Sequence, residues 1–173
     1  MRRPVATFLL GLSLVAAQAC GRKGPLVLPQ GRAPLPVEGL TAAAGDGQVV
    51  LRWTNPSKEI SGHPLGPIGA IEVWVFDRGL PEGGGPLSAD TIEKTARLAR
   101  KIPAREIAAS AGVLPGAMTF TYALPAGLAG PAKMAFAVRV LDRRGRASEF
   151  AGPVTVGILK APGVDPAAAA GVS

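Results

Sequence analysis

The sequence predicts an all-β fold: a sandwich of two antiparallel sheets with a short helical insertion. Glycine (23 residues) and proline (17 residues) make up nearly a quarter of the 173 residues, about twice their ordinary combined share. This composition favours short strands joined by turns over a helical bundle. Several short segments also alternate apolar and polar side chains with a period of two, between boundaries of Gly, Pro, Asn or Asp. Strands in such a pattern are typical of a two-sheet sandwich.

The predicted strands follow one another between residues 37 and 160. The clearest is 48–54, in which Val49, Leu51 and Trp53 share one face. A leading strand around Leu40 and Ala42 precedes it. The other predicted strands are 71–76, 118–124, 133–141 and 153–158, and the composition of 142–146 (DRRGR) predicts the turn before the last one.

The segment 77–117 is an insertion relative to a minimal sandwich of about 100 residues. It starts with a glycine-rich loop at 79–86. Asp90-Thr91-Ile92-Glu93 then has the form of a capping box with Asp90 as N-cap, which predicts a short helix near 90–98. Residues 96–102 also fit a strand of the second sheet, and their periodicity leaves both interpretations open.

The composition leaves few routes to catalysis. One cysteine and one histidine exclude an internal disulfide, a cysteine-rich zinc site and most histidine-based chemistry. The acidic residues are scattered singly, and the sequence has no nucleophile elbow and no phosphate-binding glycine loop. His63 lies in a loop between two predicted strands and is interpreted as solvated. We therefore expect no enzyme activity, no catalytic residues, no metal and no cofactor.

Residues 1–19 have the pattern of a secretory signal peptide. Arg2 and Arg3 precede an apolar run over 5–17, which is too short to span a bilayer comfortably. Ala17-Gln18-Ala19 suits ordinary signal peptidase, which would leave Cys20 as a free thiol. A cysteine after a small residue also resembles the lipobox of bacterial lipoproteins, which implies acylation, with palmitate among the acyl chains. Because Cys20 is the only cysteine and lies at the cleavage point, we expect lipid attachment there.

Removal of residues 1–19 would lower the formal side-chain charge from +7 to +5, since Arg2 and Arg3 are lost. Nucleic acid is not an expected partner of an exported protein. The partners expected are the membrane, through the N-terminal lipid, and an unknown envelope protein or polysaccharide.

The residues after the cysteine carry a second resemblance. Cys20-Gly21-Arg22-Lys23-Gly24-Pro25-Leu26 resembles the opening of the small lipoproteins associated with the lipopolysaccharide-assembly translocon of the outer membrane. The resemblance implies a partner-contacting role for an N-terminal segment made of Gly21, Lys23, Gly24, Pro25 and Leu26. The alternative is a basic, proline-rich tether over 20–36 lying near anionic head groups. Gly21 stands where inner-membrane lipoproteins carry aspartate, which implies the outer membrane, facing the periplasm or the cell surface.

The sandwich itself resembles a fibronectin type III domain over roughly 37–160. Val49-Val50-Leu51-Arg52-Trp53-Thr54-Asn55-Pro56 matches the family's second-strand pattern, and Phe136-Ala137-Val138-Arg139-Val140 matches its sixth strand. Phe136 stands where the family usually has tyrosine. The resemblance implies an immunoglobulin-like sandwich, and residues 161–173 are expected to form a disordered tail.

Two groups of residues are candidate binding sites on this domain. Arg143, Arg144 and Arg146 share one predicted turn and could engage acidic glycans or lipid head groups. Trp74 and Phe76 form either an exposed contact patch or a second small core beneath the 77–117 insertion. We favour the second interpretation, in which the insertion covers both side chains. The expected function is that of a non-enzymatic, lipid-anchored envelope lipoprotein with an interaction module. The alternative is an accessory lipoprotein of lipopolysaccharide assembly that acts through its N-terminal segment.

Overall fold

The computed structural model describes residues 29–81, 87–109, 116–125 and 132–158. The predicted signal peptide, Cys20, the N-terminal segment, the glycine-rich stretch 82–86 and the predicted tail lie outside these residues. Seven strands are described: β1 (Glu38–Gly45), β2 (Gln48–Thr54), β3 (Ile68–Phe76), β4 (Arg97–Pro103), β5 (Ala117–Ala123), β6 (Ala132–Asp142) and β7 (Ala151–Ile158).

The strands form two antiparallel sheets, one with the order β1-β2-β5 and one with the order β4-β3-β6-β7. The predicted all-β sandwich with a short helical insertion is therefore confirmed. A two-residue turn joins β1 to β2, and both Asp46 (φ 48°) and Gly47 (φ 74°) take left-handed backbone conformations. That geometry matches the twist of a hairpin.

The core lies between the two sheets, where the period of two directs apolar side chains inward. Trp53 is 3% exposed, and its indole N–H donates to the Asn55 side-chain oxygen at 2.9 Å, so the ring is buried with its polar group satisfied. The other buried side chains of this core come from both sheets and from the entering chain: Val37, Val49, Leu51, Ile71, Val73, Val75, Ile102, Met118, Met134, Phe136, Val138, Val140, Val156 and Ile158.

The first helix of the insertion is α1 (Ala89–Thr95), whose N-cap is Ser88. The Ser88 hydroxyl accepts a hydrogen bond from the backbone N–H of Thr91 at 3.2 Å. The prediction that Asp90 caps the helix is wrong, since Asp90 lies within the first turn. Glu93 forms an ion pair with Arg139 on the sheet instead of reaching back to the cap.

Residues 96–102, which the sequence left open between helix and strand, lie mostly in strand β4, which pairs antiparallel with β3. Its burial pattern is mostly exposed, with Ile102 as its buried residue. A second helix, α2 (Ala104–Ala109), follows directly and was not predicted.

The predicted tether over 20–36 is wrong at its C-terminal end. After a short 3₁₀ turn (Pro29–Arg32), Ala33 and Pro34 are buried. The backbone pairs with the loop after β2: the N–H of Leu35 donates to the carbonyl of Lys58 at 3.0 Å. Those hydrogen bonds and the buried apolar contacts fix this stretch against the sandwich.

Candidate binding surface at the loop end

Three segments meet at one end of the sandwich: the chain entering over 29–37, the β2–β3 loop (55–67) and the β6–β7 connection (143–150). The antiparallel register requires this, because Ile68 is the partner of Asp142 and Glu38 is the partner of Thr54. A shallow cavity of about 500 Å³ opens between the three segments. We call its polar lining the loop-end surface, which consists of Arg32, Glu59, His63, Asp142, Arg143, Arg144 and Arg146.

The Asp142 carboxylate organises the turn that carries the predicted arginines. The residue is 7% exposed, and one of its oxygens accepts the backbone N–H groups of Arg144 (2.8 Å) and Arg146 (2.9 Å). The other oxygen accepts Nε of Arg146 at 2.6 Å. Gly145 takes a φ of 78°, and its N–H donates to the Asp142 carbonyl. An aspartate that bonds amides two and four residues ahead holds a tight turn in one conformation.

The three predicted arginines have different environments. Arg146 is half-buried and forms ion pairs with Asp142 and, at 3.7 Å, with Glu59, so its guanidinium supports the turn. Arg143 and Arg144 are exposed, and Arg32 from the entering chain is exposed beside them. Within the described part of the chain, these three exposed arginines make no salt bridge.

The loop-end surface therefore carries surplus positive charge. Burial raises the pKa of Asp142, but hydrogen bonds from the N–H groups of Arg146 and Arg144 and from the Arg146 guanidinium outweigh it, and the pKa lies below its ordinary value. The carboxylate is thus ionised at neutral pH and compensates Arg146. The exposed guanidinium groups remain, and planar donor forks of this kind bind phosphate and carboxylate groups.

The sequence did not find Arg32 or Glu59 as members of this surface. Arg32 comes from a stretch interpreted as a tether, and its position depends on backbone pairing between Gly31 and Ser61, 30 positions apart. No local pattern signals such a pairing. The role of Asp142, in contrast, is indicated by the sequence. An aspartate that precedes an Arg-Arg-Gly-Arg turn typically accepts hydrogen bonds from the backbone N–H groups of that turn.

The second candidate group lies on the outer face of the four-stranded sheet and is covered. Phe76 is 2% exposed and packs with Ile92 of α1. Trp74 is half-buried, and its ring lies edge-on to Phe150 at 6.0 Å. Phe76 is therefore not available as a contact residue, and the pair belongs to a small second core beneath α1.

A cluster of ion pairs on that outer face connects β3 and β6 to α1 and β4 of the insertion. Glu72 and Arg139 stand directly opposite each other on β3 and β6, and Nε of Arg139 donates to Glu72 at 2.7 Å. Nζ of Lys101 lies 3.1 Å from the other Glu72 oxygen. The Arg139 guanidinium also pairs with Glu93 and lies 4.7 Å above the Phe150 ring.

Burial raises the pKa of Glu72, but hydrogen bonds from Arg139 and Lys101 outweigh it, and the pKa lies below its ordinary value. The pKa of Arg139 is raised, because its hydrogen bonds to Glu72 and Glu93 outweigh its own desolvation. This cluster holds the insertion on the sheet.

No group of three or more His, Cys, Asp or Glu side chains suited to a metal ion occurs among the described residues. None of the helices in these ranges has the length and apolar character needed to cross a membrane.

No protein-family model matches the chain, and no curated protein matches it. Among solved structures, the chain is similar to the spore cortex lytic enzyme SleM of Clostridium perfringens, with 14% sequence identity and a TM-score of 0.38. The match covers 73% of this chain and 27% of the SleM chain. A likeness at this level supports no inference about activity.

Proposed function

We propose that this chain is a non-enzymatic lipoprotein of the cell envelope, anchored through Cys20, whose fibronectin type III-like sandwich serves as an interaction module. The partner would be an envelope protein or polysaccharide that meets the loops and strand edges of the sandwich. Sorting to the outer membrane is part of the proposal, because Gly21 stands where retained lipoproteins carry aspartate.

The observation that carries the proposal is the fixed entry of the chain into the sandwich. Backbone hydrogen bonds tie Gly31 to Ser61 (2.7 Å) and Ala33 to Ile60 (2.9 Å). Pro29 follows Cys20 by nine positions, and nine residues reach at most about 32 Å when fully extended. A lipid on Cys20 would thus keep the sandwich close to the membrane, as a tethering function requires.

The test of the anchor is mass spectrometry of the processed protein recovered from membranes. We expect a mature N-terminus at Cys20 that carries a diacylglycerol and a further acyl chain, and we expect Cys20→Ala to lose both the lipid and membrane retention. An unmodified, water-soluble N-terminus would contradict the proposal. Affinity capture from solubilised envelopes, with Cys20→Ala as the control, then identifies the partner.

The second candidate, an accessory role in lipopolysaccharide assembly, is favoured by the Cys20–Leu26 string. Replacing residues 21–29 by the leader of an unrelated outer-membrane lipoprotein, with Cys20 kept, separates the two. Loss of lipopolysaccharide transport to the surface, with the sandwich still folded and anchored, supports the accessory role. Retained transport together with retained partner capture supports the interaction module.

A further inference from the structure

We propose that the loop-end surface binds the phosphate groups of anionic lipids in the membrane that carries Cys20, so that the sandwich stands with this end against the bilayer. The inference rests on the proposed lipid anchor. It adds an orientation and a ligand class: the opposite end and the strand edges are left to meet the envelope partner.

The first argument is the length of the chain between lipid and sandwich. The segment from Cys20 to Pro29 spans at most about 32 Å, and it joins the sandwich at the loop end. Strand β6 alone has 11 residues and is about 36 Å long, and loops extend the sandwich at both ends. With its opposite end on the membrane, an anchored sandwich would need the whole segment stretched to its limit along the strands, at a high cost in chain entropy. With the loop end on the membrane, the segment needs no such extension.

The second argument is charge. Arg32, Arg143 and Arg144 line one cavity, all three are exposed, and none makes a salt bridge within the described residues. The carboxylates of Asp142 and Glu59 both form ion pairs with Arg146. The four arginines and two carboxylates of the surface leave a net charge of +2. Three exposed guanidinium groups without a salt bridge among the described residues suit the phosphates of a head-group layer, each of which accepts forked hydrogen bonds.

The third argument selects a lipid surface over an acidic polysaccharide. Ile60 has 49% of its surface exposed, more than any other large apolar residue in the described ranges. It directly follows Glu59 in the β2–β3 loop, and its backbone N–H donates to the carbonyl of Ala33 at 2.9 Å, which holds it at the loop end. An exposed apolar side chain at the same end of a domain as exposed cations is typical of a protein surface that inserts between lipid head groups, whereas a polysaccharide offers no apolar layer to receive it.

The test uses the acylated full chain in lipid nanodiscs, with a nitroxide label at one of two introduced cysteines. Ser61→Cys places the label at the loop end, and Ala44→Cys places it on β1 near the opposite end; both positions are exposed. Cys20 is the only native cysteine and its thiol is acylated, so the label reacts at the introduced site. The measurement is the accessibility of the label to a water-soluble relaxing agent.

We expect phosphatidylglycerol in the discs to lower the accessibility at position 61, relative to phosphatidylcholine discs, and to leave position 44 unchanged. Each arginine near an anionic surface contributes a factor of about five to membrane binding. Arg143→Gln/Arg144→Gln should therefore weaken the membrane-facing orientation about 25-fold. The control, Arg78→Gln/Lys133→Gln, removes the same charge from exposed positions at the opposite end and should leave the orientation unchanged.

Equal accessibility of position 61 in both kinds of disc overturns the inference. An equal effect of the two double variants also overturns it, because net charge alone would then explain the binding. Protection of position 61 by a soluble acidic polysaccharide, without protection by phosphatidylglycerol, would assign the surface to a glycan instead. Mass spectrometry of the same sample shows whether Cys20 is acylated. A missing acyl chain overturns the proposed function, whereas an acylated chain with its loop end in water overturns this inference alone.

Discussion

Replacing Glu72 by glutamine tests how much the buried Glu72–Arg139 ion pair, which joins β3 to β6 beneath the insertion, contributes to stability. The side chain of Glu72 is 7% exposed and that of its partner Arg139 is 16% exposed. Glutamine keeps the shape of the side chain, but it removes the negative charge and turns an N–H donor toward Arg139 or Lys101. The variant therefore leaves a largely buried guanidinium without its main counterion.

The size of the effect follows from what Arg139 retains. Removing one partner of a fully buried pair costs about 3–5 kcal/mol. Arg139 keeps its ion pair with Glu93 and its position above the Phe150 ring, so we expect a loss of about 2–3 kcal/mol in the free energy of unfolding. At about 4 °C per kcal/mol for a domain of this size, the midpoint of thermal unfolding should fall by about 10 °C.

The assay is urea unfolding followed by far-ultraviolet circular dichroism, with an unchanged slope as the sign of an unchanged fold. A double-mutant cycle with Arg139→Met should show a coupling energy of at least about 1 kcal/mol. The control is Glu106→Gln, whose partner Arg100 has a side chain that is 53% exposed and whose loss should cost less than about 1 kcal/mol. Additive effects of Glu72→Gln and Arg139→Met would refute the reasoning.

Three further predictions concern pH, the helix cap and a close backbone contact. The pKa values of Glu72 and Asp142 are lower in the folded state than in the unfolded chain. The stability that they contribute is therefore complete only above about pH 5, where both carboxylates are ionised in the unfolded chain as well, and it is lost as the pH falls through their folded pKa values. Urea unfolding across that range measures the loss. Ser88→Ala removes the N-cap hydroxyl of α1 and should cost about 1 kcal/mol, seen as faster hydrogen exchange of the α1 amides. Gly69→Ala would place a Cβ 2.5 Å from the backbone oxygen of Asp142 and should cost about 1–3 kcal/mol in urea unfolding; Gly66→Ala, with nothing within 4 Å of its Cβ, is the matched control.

Each of these predictions has a contrary outcome. A stability that stays constant on acidification, or that falls equally in Glu72→Gln, would contradict the assignment of the lowered pKa to Glu72. Unchanged hydrogen exchange of the α1 amides in Ser88→Ala would show that the packing of Ile92, and not the N-cap hydrogen bond, stabilises α1. Equal stabilities of Gly69→Ala and Gly66→Ala would show that the β3–β6 contact relaxes at no cost.

Strand positions were predictable where the alternation was clean. Strand β2 has the predicted bounds, because Val49, Leu51 and Trp53 alternate with side chains that leave the core. Strand β4 was not decidable, since it is an edge strand whose exposed cations hide the period of two. The start of α1 was misplaced because both Ser88 and Asp90 are good capping residues, and local sequence does not rank them.

The candidate site was predictable in part. A turn with three arginines was visible in the sequence, but Arg146 proved to be paired with Asp142 and Glu59. The outer-face position of Trp74 and Phe76 followed from alternation alone, whereas their cover by α1 depended on where the insertion packs.

The sequence by itself determined which side chains share a face and where the chain turns, since both depend on neighbours a few residues apart. Only the tertiary structure decided which distant residues meet. Glu72 and Arg139 are 67 positions apart, and Arg32 lies beside Arg143 only because the entering chain pairs with the β2–β3 loop. The register between distant strands is set by packing of the whole core, and no local pattern contains it.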